Sequence, residues 1–274
     1  ANSTFANAKK HPDYWRLIGN VSFKHNNAIM HCDSAYHYVN QNKMEAFGKI
    51  RITQGDSIIL TGNRLIYLAL ENKIDIRGDV ILIDKYMRLE TEQIFYNLES
   101  NIASYPTFGR IIDEKKVIES KKGKYLSDQH NFIFKDSVTV IALDYNILTD
   151  NMHYNTNSKT AFFFGPSYII SKDRTIYCEN GWHNTATTIS QFQKNAYITT
   201  PDHLLRGDSL YYNKKLRYGR AIKNVTVIDT AEDITVSGGL AEYFEEKGLI
   251  EITQNPLVKI ILEKDTLFMS AEKL

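Results

Sequence analysis

The chain has 274 residues, of which 43% are hydrophobic, and its formal net charge at pH 7 is +1. This length and apolar content allow a sizeable core, and the near-zero net charge gives no electrostatic reason to expect nucleic acid as a partner. The sequence shows neither an apolar stretch long enough to span a membrane as a helix nor a signal peptide.

Short apolar runs recur along the chain and predict strands. In chain order they include residues 21–23, 50–52, 80–83, 138–140 and 225–227, and each follows a Gly, Asn or Asp closely. In a second kind of run an apolar residue lies two positions before a tyrosine, which places both side chains on one face of a strand. Because no stretch keeps apolar residues at helical spacing, the chain is predicted to be nearly all β.

Tyrosine recurs at a nearly constant interval. The positions, at steps of 29 residues and a last step of 31, are Tyr38, Tyr67, Tyr96, Tyr125, Tyr154, His183 (in place of tyrosine), Tyr212 and Tyr243. Self-similarity at a fixed period predicts one structural unit repeated in tandem.

A second column of residues keeps step with the tyrosines. Its members are Gly19, Gly48, Gly78, Gly109, Asp136, Gly165, Asn195, Asn224 and Asn255. Gly, Asn and Asp tolerate positive φ most readily, so inside a strand they predict a bulge or sharp bend where the alternation swaps faces.

Together the two columns predict an all-β fold of about nine tandem repeats of about 29 residues. We assign residues 1–16 to an incomplete lead-in and residues 17–274 to a single elongated repeat domain. Residues 265–274 look like the start of a further strand and no polar capping unit follows, so the natural chain is expected to continue or its end to pair with another chain.

Cys32 and Cys178 are five repeats apart. Strands spaced by about 4.8 Å put them at least ~24 Å apart, whereas a disulfide needs Cα atoms within ~7 Å. We therefore expect both to pack as small apolar residues.

An acidic or amide residue often lies four positions before the tyrosine, as at Asn63, Glu92, Asp150 and Asp208. One interpretation is a calcium ladder, but the nine-residue Gly-rich spacing of calcium β-rolls is absent. The favoured interpretation is that these side chains bond backbone amides and set the turn.

The sequence gives little sign of catalytic or metal chemistry. His37, His153 and His183 are interpreted as aromatic substitutes in a ladder, because no carboxylate partner is evident from their spacing. There is no Gly-x-Ser-x-Gly elbow, and charged residues do not recur over adjacent repeats as in a polysaccharide-active β-helix enzyme. We predict a non-enzyme with no catalytic residue, metal or cofactor.

Several strands are apolar on both faces, for example residues 80–83, 161–164 and 260–262. They predict either a tight β-sandwich core or an open groove between two sheets that receives lipid chains. A one-residue slip would exchange the two walls. The candidate lining residues are Ile52, Leu65, Val80, Leu82, Ile94, Val138, Val140, Met152, Phe162, Phe164, Leu210, Val225 and Val227.

Three segments carry a family resemblance. Residues 32–36 (Cys-Asp-Ser-Ala-Tyr) and 207–212 (Gly-Asp-Ser-Leu-Tyr-Tyr) resemble the Asp-x-Leu-x-Tyr strands of the OstA-like (LptA) family. Residues 45–57 are similar to that family's Ala-x-Gly-x-Val … Gly-Asp signature. The resemblance spans about residues 17–274, but Gly123 replaces the usual apolar residue before Tyr125, and His183 replaces a tyrosine.

This resemblance implies an elongated open β-jellyroll of two antiparallel sheets, called a β-taco, in a Gram-negative envelope. It implies a periplasmic or outer-membrane-associated protein that holds lipopolysaccharide or a related lipid between its sheets. It also implies strand-edge pairing with similar modules, including a second copy head to tail. The alternative is a ligand-free structural β-solenoid that acts as a spacer or adhesin-like scaffold.

Overall fold

The computed structural model describes residues 1–5, 13–25, 27–55, 58–85, 87–112, 116–263 and 265–274. The chain forms two compact units, unit 1 (Ala1–Asp136) and unit 2 (Ser137–Leu274). The single repeat domain over residues 17–274 and the lead-in over residues 1–16 stay predictions. Residues 6–12 of the lead-in, and Asp56 and Ser57 of the family signature, lie outside the described residues.

Unit 1 is an antiparallel meander. Its strands are β1 (Ser3–Phe5), β2 (Trp15–His25), β3 (Ala28–Tyr38), β4 (Lys43–Gln54), β5 (Ile58–Leu68), β6 (Lys73–Ile83), β7 (Arg88–Asn97), β8 (Ile102–Tyr105), β9 (Gly109–Ile112), β10 (Lys116–Ser120) and β11 (Lys122–Leu126). β12 (Asn131–Ala142) begins in unit 1 and ends in unit 2. β8 and β9 both pair with β7, so together they take the place of one strand.

Unit 2 repeats the same arrangement. Its remaining strands are β13 (Tyr145–Asn155), β14 (Thr160–Ser171), β15 (Thr175–Asn184), β16 (Ile189–Thr199), β17 (His203–Asn213), β18 (Tyr218–Asp229), β19 (Ile234–Phe244), β20 (Leu249–Thr253), β21 (Leu257–Ile261) and β22 (Thr266–Ser270). From β13 to β19 each strand pairs antiparallel with the next. β20 and β21 then share the free edge of β19.

The helices of the described residues are four 3-10 turns of three residues each, at Val39–Gln41, Ala69–Glu71, Ser127–Gln129 and Glu245–Lys247. No helix in this described part of the chain is long and apolar enough to cross a membrane. The prediction of a nearly all-β antiparallel repeat fold is therefore confirmed.

The column of Gly, Asn and Asp residues marks bends in the strands. Eight of its nine members have positive φ, between 49° and 90°, and the exception is Gly109. In β4, Met44 and Ala46 are buried before the bend at Gly48, and Ile50 and Ile52 are buried after it. Each bent strand therefore contributes apolar side chains to the interior from both of its halves.

The positive φ angles at the bends are expected to make stability depend on which residue occupies the bend. Gly165 has a φ of +90°, and an added Cβ would meet only Asp150, at 3.8 Å. We expect Gly165→Ala to lower the free energy of unfolding by about 1–2 kcal/mol, because positive φ is unfavourable for a residue with a Cβ. Denaturant unfolding measures this change.

A matched control is available at the next bend of unit 2, where Lys194 has a φ of +58°. Lys194→Gly removes the Cβ penalty and adds chain entropy to the unfolded state, so its effect is expected to be within about 1 kcal/mol of zero. Equal stabilities for Gly165→Ala and the parent chain would contradict the conformational explanation.

The tyrosine column forms aligned rows within each unit. In unit 1, Ile74 pairs with both Tyr67 and Tyr96, and Ala103 pairs with both Tyr96 and Tyr125. In unit 2 the continuous row is Tyr154, Ala161, His183, Ser190, Tyr212, Gly219 and Tyr243. The predicted alignment of repeats is therefore confirmed in each unit.

Tyr38 is an exception to the predicted column. The strand pairing places His37, not Tyr38, in line with Met44 and Tyr67. Tyr38 lies on the opposite face, where the Lys43 ammonium is 5.1 Å from its ring centroid. Tyr38 therefore stands one residue out of the column, and a one-residue shift exchanges the two faces of a strand.

Both cysteines are buried and free, as expected from their separation in sequence. Burial raises the pKa of Cys32 to about 11 and that of Cys178 to about 12. Both thiols are therefore protonated at neutral pH and pack as small apolar groups.

Candidate functional site

The interior of unit 1 is filled by aliphatic side chains. On one wall a cross-strand row of buried residues consists of Met30, Ile52, Leu60, Leu82, Leu89, Ile111 and Ile118. On the facing wall, Leu65 and Ile94 are each 1% exposed. The two cavities between these walls have volumes of about 210 and 40 Å³. Both are smaller than the ~300–1,000 Å³ typical of ligand sites.

Tyr105 fills part of this interior. Its ring is 4% exposed and occupies the space that side chains at Gly109 and Gly123 would need. Its hydroxyl lies 2.5 Å from the Ser120 hydroxyl, and burial raises the pKa of Tyr105 to about 12. The glycine before Tyr125, a departure from the family pattern, is explained by this close approach of the ring.

Unit 2 has the same two walls but a more open interior. The row on its first wall is Ile147, Ile169, Ile176, Ile198, Leu205, Val227, Val236 and Val258. The six central residues of this row are only half-buried, whereas the central residues of the corresponding row in unit 1 are buried. The apolar surface of this wall is therefore partly accessible.

The second wall of unit 2 contains small residues. Its inner row is Met152, Phe163, Gly181, Phe192, Leu210, Ala221, Ala241 and Ile252. The two walls enclose a cavity of about 460 Å³, lined by Ile176, Ile198 and Leu205 on one side and by Phe192 and Leu210 on the other. This volume falls within the usual range for small-molecule sites. We call this cavity the unit 2 groove.

Polar side chains lie along one edge of the unit 2 groove. Tyr212 donates a hydrogen bond of 2.5 Å to Glu245, and Arg217 lies 3.4 Å from the same carboxylate. Burial, and then the neighbouring Glu245, raise the pKa of Tyr212 to about 12, so its hydroxyl stays protonated at neutral pH. The hydrogen bond from Tyr212 and the nearby arginines hold the pKa of Glu245 below its usual range. Arg174 lines the groove on the opposite wall.

Eleven of the predicted lining residues face the interior of their unit. Ile52 and Leu65 line the larger cavity of unit 1, Leu82 and Ile94 line the smaller one, and Leu210 lines the unit 2 groove. Those that are buried or half-buried without lining a cavity are Val80, Val138, Val140, Met152, Val225 and Val227. Their role in lipid binding stays a prediction.

Phe162 and Phe164 do not lie where the sequence pattern placed them. They are 40% and 39% exposed, and Phe163 between them is fully buried. Met152 pairs directly with Phe163, so the inward direction of Met152 forces Phe162 and Phe164 onto the outer face. Three consecutive phenylalanines carry no alternation, which is why the sequence alone did not reveal the face.

The acidic and amide residues before the tyrosines lie against the bends of the neighbouring strand. Asn224 donates hydrogen bonds of 3.0 and 3.1 Å to Asp208, and Asn63 donates one of 3.2 Å to Asp79. These partners are side chains at the bends, whereas the sequence pattern suggested backbone amides. Within the described residues, no group of three or more His, Cys, Asp or Glu side chains could hold a metal ion.

Sequence reasoning missed most of the first wall of the unit 2 groove, including Ile176, Ile198 and Leu205. Ile176 lies two residues before the buried Cys178, and Ile198 lies two residues after the buried Ala196. The two-residue period, continued outward from each bend, would have found both positions.

The fold and its interior define an all-β repeat protein with two apolar walls per unit. A sequence profile of the OstA-like protein family matches residues 1–150 and 143–208. These segments cover more than half of the chain, which therefore belongs to the OstA-like family. No curated protein matches the chain significantly.

Among solved structures, the chain is similar to LptH of Pseudomonas aeruginosa, described as the LptA-homologous periplasmic component of the conserved lipopolysaccharide transport device. The sequence identity is 12% and the TM-score is 0.26, over 51% of this chain and 82% of LptH. A likeness this weak does not bear on function.

Proposed function

We propose that the chain is a non-enzymatic lipid-binding protein whose unit 2 groove holds acyl chains. The observation that carries the proposal is the row of half-buried aliphatic residues facing a cavity of about 460 Å³. An acyl chain that leaves water for the apolar surface between the two walls is stabilised by about 0.8 kcal/mol per buried CH₂.

The repeated geometry supports movement along the groove. Neighbouring strands present chemically similar side chains at matching positions, as with Ile169, Ile176 and Ile198. Successive positions along the row therefore offer an acyl chain similar binding free energies, and no single position traps it. This property suits a protein that passes lipid onward.

Membership of the OstA-like family supports the finer part of the proposal. We infer that the lipid is lipopolysaccharide or a related envelope lipid and that the protein works in the periplasm or at the outer membrane. β22 pairs with β21 and exposes Leu267, Phe268 and Met269 by 44–58%. Such a strand is suited to pair with a similar module or a second copy of the chain.

A charge placed in the groove tests the proposal. Ile198→Asp puts a carboxylate among aliphatic residues, and we expect it to weaken binding of cis-parinaric acid, a fluorescent C18 fatty acid, at least about tenfold. The matched control is Ile170→Asp, because Ile170 is 37% exposed and lies outside the cavity lining. Its binding is expected to equal that of the parent chain.

Circular dichroism melting of each variant separates lost binding from lost folding, and Leu205→Ser provides a milder change in the same row. Native mass spectrometry of the parent chain is expected to detect co-purified lipid that Ile198→Asp loses. Equal fatty-acid binding by Ile198→Asp, Leu205→Ser and the parent chain would reject the groove as the binding site.

The packed interior of unit 1 favours a second role for that unit. Its aliphatic row is buried and the two cavities between its walls are small; a larger hollow of about 540 Å³ includes the charged Glu71, Lys73 and Asp75 in its lining. Unit 1 therefore fits the role of a structural spacer better than that of a lipid-holding segment. Charged substitutions in its interior are expected to lower stability without a selective effect on lipid binding.

A further inference from the structure

The outer face of β13–β17 in unit 2 has an unusual composition. Two cross-strand rows run over it, one from His153 through Phe162, Trp182 and Gln191 to Tyr211. The other row consists of Asn151, Phe164, Asn180, Gln193 and Ser209. The ten positions of these rows contain aromatic, amide and hydroxyl side chains but no Asp, Glu, Lys or Arg. We call this surface the amide–aromatic face.

Unit 1 provides an internal comparison, because the rows at the corresponding positions of its repeats are charged. Glu45 and Asp75 lie in one row and Arg77 in the other. Arg77 forms an ion pair of 2.7 Å with Asp75, and Lys43 forms one of 2.6 Å with Glu45. The lack of charge therefore distinguishes the β13–β17 part of unit 2 from unit 1, and the first row becomes charged beyond Tyr211, at Arg220 and Glu242.

The amide–aromatic face is accessible and regular. Phe162 and Phe164 are 40% and 39% exposed, and the His153 ring centroid lies 4.7 Å from that of Phe164. Gln191 donates a hydrogen bond of 3.4 Å to Ser209 within the face. Five strands at about 4.8 Å spacing give the face a width of roughly 19 Å.

We propose that this face binds an uncharged oligosaccharide. A sugar ring has an apolar C–H surface that packs on an aromatic ring, and Phe162 and Trp182 are paired neighbours that offer two such rings. Its hydroxyl groups both donate and accept hydrogen bonds, as do the side-chain amides of Asn180 and Gln193. Aromatic rings dominate the first row and amide side chains the second, so the two kinds of group lie side by side across the face.

The composition disfavours other partners. An anionic or cationic ligand finds no opposite charge at these ten positions. The next two positions of the first row, Arg220 and Glu242, carry opposite signs, so complementarity to a ligand of one sign is lacking. Protein interfaces are enriched in Arg and Met as well as aromatic residues, and the face has neither. Amide side chains instead hold four of its ten positions: Asn151, Asn180, Gln191 and Gln193.

The test uses Trp182 as a reporter. The chain has two tryptophans, so Trp15→Phe leaves Trp182 as the single indole, at the centre of the face. This variant is titrated with hexasaccharides of β-1,4-glucan, α-1,4-glucan and β-1,4-mannan, and with acidic hexagalacturonate. We expect a saturable change in Trp182 emission with at least one neutral hexasaccharide and none with hexagalacturonate.

Phe162→Ser in the same background is expected to weaken that binding about tenfold. Tyr168→Ser is the control, because Tyr168 is 39% exposed and lies in a different cross-strand row, paired with Tyr177. Melting temperatures confirm folding, and Phe164→Ser replaces Phe162→Ser if the latter fails to fold.

Three results would overturn the proposal: no response to any neutral hexasaccharide, a stronger response to hexagalacturonate, or unchanged binding by the Phe162→Ser and Phe164→Ser variants. A Trp182 signal that depends only on protein concentration, with a dimer in sedimentation that Phe162→Ser abolishes, would identify a protein interface instead. None of these outcomes depends on whether the unit 2 groove binds lipid.

Discussion

Replacing Phe163 with alanine is expected to lower the free energy of unfolding by about 3–5 kcal/mol. Phe163 is fully buried and pairs with Met152 on one side and Gly181 on the other. The glycine has no side chain that could move into the space left by the ring, so the cavity would persist and add to the lost transfer free energy. Denaturant unfolding monitored by circular dichroism measures the change.

The adjacent phenylalanine is a matched control. Phe162→Ala removes the same atoms from a side chain that is 40% exposed, so a cost below about 1.5 kcal/mol is expected. Similar losses for Phe162→Ala and Phe163→Ala would contradict the assignment of Phe163 to the interior.

Adding one methyl group at Gly123 is expected to destabilise unit 1 by about 3 kcal/mol. The new Cβ would overlap the ring of Tyr105, which is 4% exposed and has little room to move. Moving the ring to relieve this overlap also disturbs the hydrogen bond between Tyr105 and Ser120. The destabilisation is therefore the sum of an overpacking cost and the cost of weakening a buried hydrogen bond.

A double-mutant cycle isolates this steric effect. Tyr105→Ala alone is destabilising because it leaves a cavity, but adding Gly123→Ala to it should cost no more than about 0.5 kcal/mol. Gly123 has no positive φ, so alanine introduces no backbone strain of its own. Additive effects of the two substitutions would exclude the proposed contact.

The sequence predicted the repeat and its bends because each is set by a local chemical preference. Positive φ at Gly78 or Asn224 follows from the residue type, and the two-residue period before Tyr67 follows from the strand itself. Gly109 is the informative failure. It follows Pro106, which separates β8 from β9, so the chain turns without a left-handed residue at Gly109.

The faces of individual strands were harder to predict than the strands. Residues 161–164 are apolar throughout, so only the pairing of Met152 with Phe163 decides which side chains point inward. The position of His37 in the tyrosine row is decided in the same way, by its pairing with Met44. Pairing between strands is non-local information, which residue spacing within one strand does not contain.

The difference in openness between the two interiors was not predictable from residue types. Both units carry aliphatic rows, and both have small residues on the second wall, such as Ala46 in unit 1 and Ala241 in unit 2. The size of each cavity depends on the volume that remains once all side chains are packed. In unit 1, the ring of Tyr105 alone fills the space beside Gly109 and Gly123.

Within each unit, hydrogen-bonded strands are neighbours or near neighbours along the chain, which has a consequence for folding. Low sequence separation between contacting residues keeps the entropy of loop closure small, so a hairpin such as β17–β18 can form early and serve as a template for the next. Stability in such an array is close to a sum of nearest-neighbour terms. Terminal hairpins can therefore fray and re-form while the central ones stay intact, and a single melting temperature would describe such a molecule incompletely.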